Sequence, residues 1–303
     1  MKKILFLFFL IAILVSVFFV QYDSIVSFVE QYVFFQKNVT IGEKNPYWRD
    51  YNFHFVQNTE QFVPGNFQDI LNIFYTVLNA GKSEFTFYCP KEYEDCLNHI
   101  QTLANDQDLL SNINNFVHPF NGFSHIETEY DTLGRVTIHV IHNYNQEEIQ
   151  IIQDKILSLM PELTSSTNSQ RENIRNIHDY IINHTQYDSD RVEHSIVEYH
   201  SSSAYGPLFE GYAICGGYTD LMELFLEELD IPSFKISSDT HVWNVVYVDG
   251  DWYHLDLTWD DPVSSDGKNY LEHDYFLIDT PTLLSQEVTQ HNFDLETYAE
   301  VSY

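Results

Sequence analysis

Basic residues are scarce in this chain: Lys and Arg number 14 against 45 Asp and Glu over 303 residues, a formal net charge of −31. Binding a phosphate backbone takes clustered cations, so nucleic acid is excluded as a partner. The acidic surface reads instead as a solubility device. Cysteine is scarcer still, with three residues. There is no C-x-x-C or H-x-x-x-H pair, so Cys215, His241, His254 and Asp256 do not read as metal ligands, and no metal site is expected. A G-x-x-x-x-G-K-[ST] phosphate loop is missing too, as are internal repeats and long low-complexity tracts. No cofactor is expected, and disorder is not the main character of the chain.

Aromatic residues, by contrast, are abundant, with 21 Tyr and 23 Phe. The length suits two ordinary domains, each with its own apolar core. At the start, Lys2 and Lys3 precede a 17-residue run from Ile4 to Val20 that is apolar apart from Ser16. At about 1.5 Å per residue the run approaches a membrane-spanning length. Phe18, Phe19 and Val20 make a poor cleavage site, so an uncleaved anchor is expected over a secreted, cleaved form. The two lysines would stay in the cytoplasm, which places everything after Gln21 outside the cell. Residues 1–35 are thus expected to be a membrane anchor and juxtamembrane stretch.

Residues 36–165 mix strand and helix signals and read as an α/β domain of unassigned role. "SEFTFYC" and "GRVTIHVIH" are rich in strand formers, and Val136, Ile138 and Val140 alternate as one face of a strand. In "NQEEIQIIQDKILSLM" the residues Ile149, Ile152, Ile156 and Leu159 share a helical face, with Asn145 as cap and Glu148 three residues on. "PELTSSTNSQ", residues 161–170, is the clearest boundary in the chain. Ser169 and Glu172 then make a second capping pair, opening a domain over residues 166–303.

Within "GYAICGGYTDLMELFLEEL", Tyr218, Leu221, Met222, Phe225 and Leu229 recur at helical spacing, so a helix starts near Gly216 or Gly217 with Cys215 at its mouth. Free N–H groups and the positive end of the helix dipole favour thiolate there. Downstream, "VWNVVYV" and "DWYHLDLTW" flank Asp249-Gly250, a two-residue hairpin turn. If Val248 faces Asp251, then His241 comes opposite Thr258 and Trp243 opposite Asp256. His241 and Asp256 become diagonal neighbours on one face, within about 7–8 Å between backbones. A carboxylate on one imidazole nitrogen leaves the other for a nucleophile, so Cys215, His241 and Asp256 form nucleophile, base and orienter. Asn244 points to the opposite face, and Asp260 and Asp261, ahead of Pro262, read as structural turn residues. An oxyanion would be met by the Cys215 backbone N–H, with Tyr187 and Tyr205 as candidates for a second donor.

"GYAICGGYTDLMELFLEELDIP", "HVWNVVYVDGDWYHLDLTWDDP" and "YFLIDT" resemble the transglutaminase-like superfamily, related in design to papain-like cysteine proteases, over roughly residues 174–291. The resemblance implies an α+β fold with a papain-like core, its nucleophile at a helix N-terminus and His and Asp on an antiparallel hairpin, behind the smaller α/β domain. It assigns Cys215 as nucleophile, His241 as general base and acid, and Asp256 as orienting carboxylate. Gly216-Gly217 departs from the family's more common polar residue followed by Gly. The implied reaction is acyl transfer or hydrolysis of a carboxamide in a protein or peptide substrate, through a thioester. A peptidase or amidase of the same design and a catalytically idle binding module are the alternatives. Cys89 and Cys96 would face the oxidising side, where a disulfide is permitted.

Overall fold

The computed structural model describes residues 39–131, 134–263 and 270–302. The apolar run and the stretch behind it, expected as anchor and juxtamembrane segment, lie outside the described residues. Among the described residues no helix is long and apolar enough to cross a membrane.

In the N-terminal half, β1 (Glu84–Tyr88), β2 (Phe123–Tyr130) and β3 (Arg135–His142) form an antiparallel sheet of order β1-β3-β2. The alternation along β3 buries Val136, Ile138 and Val140, and Phe85 and Phe87 stand opposite the first two. Helices α1 (Phe67–Asn79), α2 (Cys96–Asn105) and α3 (Gln107–Asn114) bring Ile70, Phe74, Ile100 and Leu110 into the same core. Cys89, just past β1, and Cys96, opening α2, are joined in a disulfide with Cα atoms 5.8 Å apart. Cys215 is the free cysteine.

Both capping pairs form as read. The Asn145 side chain accepts from the Glu147 and Glu148 N–H groups at the head of α4 (Gln146–Leu163), and Glu148 accepts from the Asn145 N–H. Ser169 and Glu172 do the same for α5 (Gln170–His184). The break between these helices does not separate two cores. Ile149, Ile152 and Ile156 of α4 pack with Ile174, Ile177 and Ile181 of α5, so the expected divide at 165/166 runs through a single apolar cluster. A capping signal reports where a helix begins; what the helix packs against is decided elsewhere in the chain.

After α5, a two-residue parallel pair, β4 (Gln186–Tyr187) and β5 (Tyr212–Ala213), brackets the short α6 (Ser189–His194) and leads into α7 (Cys215–Glu228). The second sheet has the order β6-β7-β8, with β6 (Ser233–Ser237), β7 (Val242–Val248) and β8 (Asp251–Leu255) antiparallel. Trp243 and Val245 enter the core of the N-terminal half, whereas Val246 and Val248 enter the core around α7. This sheet is therefore the wall between the two cores. A last helix, α8 (Thr280–Ser285), follows.

Buried polar contacts tie the halves together across α7. Arg49 pairs with Glu223 at 2.6 Å, Lys235 with Asp220 at 2.8 Å, and the Tyr144 hydroxyl donates to Asp220 at 2.6 Å. The same hydroxyl accepts from the Ala204 N–H at 2.8 Å. Tyr144→Phe takes the partner from the Ala204 N–H and from the Oδ2 of Asp220 in a buried place, so we expect a stability loss of about 1–3 kcal/mol. Urea unfolding checks this, and an unchanged midpoint would show that the hydroxyl carries no such role.

Candidate active site

Ile214 offers no side-chain cap to α7, so Cys215, the first helical residue, sits at a helix end whose N–H groups no side chain covers. The two glycines behind it have a steric reason. A Cβ on Gly217 would lie 2.4 Å from the Ser201 carbonyl oxygen and 3.1 Å from that of Ser203, and one on Gly216 would lie 3.1 Å from that of Ser202. The backbone of residues 201–203 thus lies directly against the first turn, and larger residues would push it away. Gly217→Ala is expected to misplace this turn and lower the melting temperature; overpacking of this kind costs about 1–3 kcal/mol. An unshifted melting temperature would mean that the loop yields freely.

On the other side, the hairpin places the histidine and the carboxylate. Asp249 and Gly250 take φ of 57° and 89°, a left-handed pair suited to a tight two-residue turn, and this sets Val248 opposite Asp251 and Asn244 opposite Leu255. The register is the expected one. The return strand, however, is shorter than expected and ends at Leu255. There the Asp256 Oδ1 accepts from the Thr258 and Trp259 N–H groups at 3.0 and 3.3 Å and turns the chain. Its Oδ2 meets the His241 Nε2 at 2.6 Å. The pairs His241–Thr258 and Trp243–Asp256 lie beyond the end of the ladder, yet the side chains of His241 and Asp256 meet as the parity requires.

With Nε2 committed to Asp256, His241 has Nδ1 left, and the Cys215 thiol lies near enough to its ring to affect its titration. Burial works against charge on this imidazole. The Asp256 carboxylate and then the Cys215 thiol outweigh it, and the pKa is raised to about 10. Burial likewise opposes the Asp256 carboxylate, but His241 and then His291 hold it well below the ordinary range. The linkage follows. His241, raised, contributes its stability in full below about pH 6.5 and loses it as pH rises through about 10. Asp256, depressed, contributes above about pH 3.9 and loses that contribution as pH falls through its folded value.

The first turn of α7 is pinned to the start of β7. The Thr219 hydroxyl donates to the carbonyls of Cys215 and Val242 at 2.6 and 3.2 Å, and the Asn244 amide donates to the Thr219 carbonyl at 3.1 Å. These contacts fix where the thiol lies relative to His241. Asn244 faces away from His241, as the parity requires, and acts here on the helix.

Of the two tyrosines, Tyr187 is the one beside the site. It pairs with Ala213 in the β4–β5 ladder, and burial together with the neighbouring Cys215 pushes its phenol upward, so it keeps its proton. Tyr205 packs instead against His200 and Phe209, with ring centroids 5.1 and 4.8 Å away.

Other histidines here carried no local signal in the sequence. His254 Nδ1 accepts from the Trp243 indole at 3.0 Å, and its Nε2 meets Thr280 at 3.0 Å. Burial and then His291 bring its pKa down to about 3, so it is neutral. His291 reaches the same Asp256 Oδ2 from the other side, at 2.9 Å. Asp260 is fully buried, accepting from the Tyr275 N–H and meeting His178, while Asp261 accepts from the Tyr218 hydroxyl. Burial raises Asp261 to about 6.

Among the described residues, two sets of side chains have ligand atoms near enough to one another for a metal ion: His241, Asp256 and His291, and His178, Asp179 and His273. Hydrogen bonds already join the members of each. Asp256 accepts from two rings and two backbone groups. Asp179 meets His178 and His273 at 2.9 and 2.7 Å.

Residues 158–257 match the family model described as the transglutaminase-like superfamily. No curated protein matches the chain. Among solved structures, the chain is similar to a TGase, at 16% identity and a TM-score of 0.34, with 45% of each chain covered. A protein from Cytophaga hutchinsonii described as a candidate cysteine protease has 16% identity and a TM-score of 0.28, over 44% of this chain and 61% of its own. A candidate protease from Parabacteroides distasonis has 13% identity and a TM-score of 0.25, over 49% and 41%. The chain spans less than two thirds of each of them, and likeness at these TM-scores carries no argument about what it acts on.

Proposed function

From a chain that carries a transglutaminase-like domain over residues 158–257, a fold whose members are in general cysteine-dependent enzymes, we propose a cysteine acyltransferase or hydrolase acting on a carboxamide, that of glutamine in a protein or peptide. The observation that carries this reading is the chain of contacts from the Cys215 thiol to His241 and on to Asp256 at 2.6 Å, with the thiol at an uncapped helix N-terminus.

The Cys215 thiolate attacks the carboxamide carbon, and the negative charge moves to the oxygen. The Cys215 N–H and the Tyr187 hydroxyl are the donors best placed to meet it. As the C–N bond breaks, the His241 imidazolium gives its proton to the departing ammonia or amine and a thioester remains. A second nucleophile then attacks, His241 takes up its proton, and the thiolate is regenerated. A lysine amine as acceptor yields a cross-link and water yields hydrolysis. Asp256 keeps the imidazole oriented throughout and stabilises its charged form before the leaving group departs and after the thiolate is regenerated.

Incubation with glutaminyl peptides and mass analysis of Cys215 tests the reading. A trapped acyl group on Cys215 supports it, and failure of any carboxamide to acylate a thiol that iodoacetamide does alkylate favours the idle binding module. Because His241 holds its charge to about pH 10, kcat/KM is expected to stay level through neutral pH and fall only near 10. A basic limb near 7 would contradict a charged His241.

We further propose that the domains stand outside the cell on the N-terminal segment. The disulfide between Cys89 and Cys96 supports an oxidising compartment. Protease added to intact cells is expected to remove the region after Gln21. A protease-resistant cytosolic chain would end this assignment.

A further inference from the structure

Asp256 serves two rings through one oxygen. His241 Nε2 lies 2.6 Å from Oδ2 and His291 Nε2 lies 2.9 Å from it. A carboxylate only accepts, so both Nε2 atoms must carry protons. The other nitrogen of His291, Nδ1, is buried with no hydrogen-bond partner among the described residues. Its surroundings are the rings of Trp243, Trp259 and Tyr275, with centroids 5.2, 5.2 and 4.9 Å away. A proton on Nδ1 would be a buried donor with nothing to receive it. The hydrogen bonding therefore fixes which nitrogen of His291 donates: it is Nε2, and it donates to Asp256.

We propose that His291 is a positioning residue: a fixed donor that locks the Asp256 carboxylate, so that Oδ2 stays aimed at His241 while His241 loses and regains its proton. The proposal rests on the reading of Cys215, His241 and Asp256 as the reacting set. Three donors other than His241 hold the carboxylate, namely His291 and the N–H groups of Thr258 and Trp259. The two backbone donors bind Oδ1 and leave the carboxylate able to swing about that anchored edge. His291 is the donor on Oδ2, the oxygen that also meets His241, and its ring is 1% exposed and walled by aromatic groups. The turn Thr289–His291 that presents it thus becomes part of the site although it lies 35 residues beyond Asp256. The titratable groups facing His291 are Asp256, His241, His254 and Tyr275.

Alkylation of Cys215 by iodoacetamide, followed by mass against pH, reads this directly, because it reports the thiolate held by His241 and needs no acyl substrate. His291→Phe fills the aromatic cage but removes the donor, whereas His291→Gln keeps an N–H that can reach Asp256. For His291→Phe we expect the pH of half-maximal alkylation to rise by about one unit, with the rate near pH 6 falling about tenfold. For His291→Gln the rate should remain within about threefold of wild type. Profiles that superimpose for all three proteins would overturn the proposal, and so would equal losses in both variants, since the donor would then not be what matters. In isotopically labelled wild-type protein the His291 ring should be protonated at Nε2. A proton found at Nδ1 overturns the proposal whether or not the variants fold. A protein that alkylates as expected yet accepts no carboxamide sinks the acyl-transfer reading and leaves this one standing.

Discussion

Cys215→Ala is expected to abolish acyl transfer, with turnover falling on the order of 10⁴-fold or more, while the fold is kept. The two halves of that expectation have separate grounds. Chemically, Cys215 is the free thiol, since Cys89 and Cys96 are joined to each other, and no neighbouring side chain can replace a sulfur beside His241. Structurally, the position opens α7 and is only half-buried, and alanine suits a helix and adds no bulk near the backbone of residues 201–203. Removing one sulfur there should move stability by no more than about 1 kcal/mol. Cys89→Ala and Cys96→Ala should behave in the opposite way: they open the disulfide in the N-terminal core, lower stability and keep the chemistry. Thiol titration separates the three, because wild type presents one reactive thiol and Cys215→Ala none. Acyl transfer surviving in Cys215→Ala would refute the mechanism.

What could be read in the sequence was what short-range chemistry determines. Asn145 with Glu148, and Ser169 with Glu172, cap their helices because each pair satisfies N–H groups within one turn. The Asp249-Gly250 turn demands positive φ, and that demand set the register which brought His241 to Asp256. Cys215 stood out because small residues precede a strong helical pattern. The parts that could not be read depend on distant partners. Arg49 meets Glu223 across 174 positions, and His178 meets Asp260 across 82. His291 had no local signal at all, lying in a single 3-10 turn among polar residues. Two tyrosines before the helix looked alike, and only the β4–β5 ladder put Tyr187 rather than Tyr205 beside the thiol. The Pro161–Gln170 stretch marks a real break in the chain, yet isoleucines on both sides of it fill one core, because apolar periodicity shows which face is buried and not what buries it.

Asp256→Asn is expected to lower turnover by on the order of 10² to 10³, less than the roughly 10⁴ seen when the same change is made in a serine-protease triad. The contacts around Asp256 say why the change is damaging. An asparagine can keep its oxygen on the Thr258 and Trp259 N–H groups, but its amide then faces His241 and His291, two donors against a third. To escape, His241 must shift its proton to Nδ1, the nitrogen left for Cys215, where it no longer serves as a base. If the amide flips instead, the oxygen meets the two rings and the two backbone N–H groups lose their acceptor. Either way the imidazolium loses the charge that raises its pKa to about 10, so the basic limb of the pH profile should move down toward neutrality. The loss stays below the serine-protease value because a thiolate and an imidazolium attract each other without a third group, which a serine hydroxyl cannot match. Asp260→Asn and Asp261→Asn are the controls. Asp260 faces the buried His178, whose pKa is raised because Asp179 and Asp260 overcome the effect of burial, so Asn there should cost stability more than turnover. Asp261 is a carboxyl that burial has already raised to about 6, and its neutral replacement should change turnover by less than about tenfold. Turnover and melting temperature measured for the three variants on one glutaminyl peptide decide the matter. Wild-type turnover in Asp256→Asn beside a crippled Asp260→Asn or Asp261→Asn would mean that the orienting carboxylate is another residue.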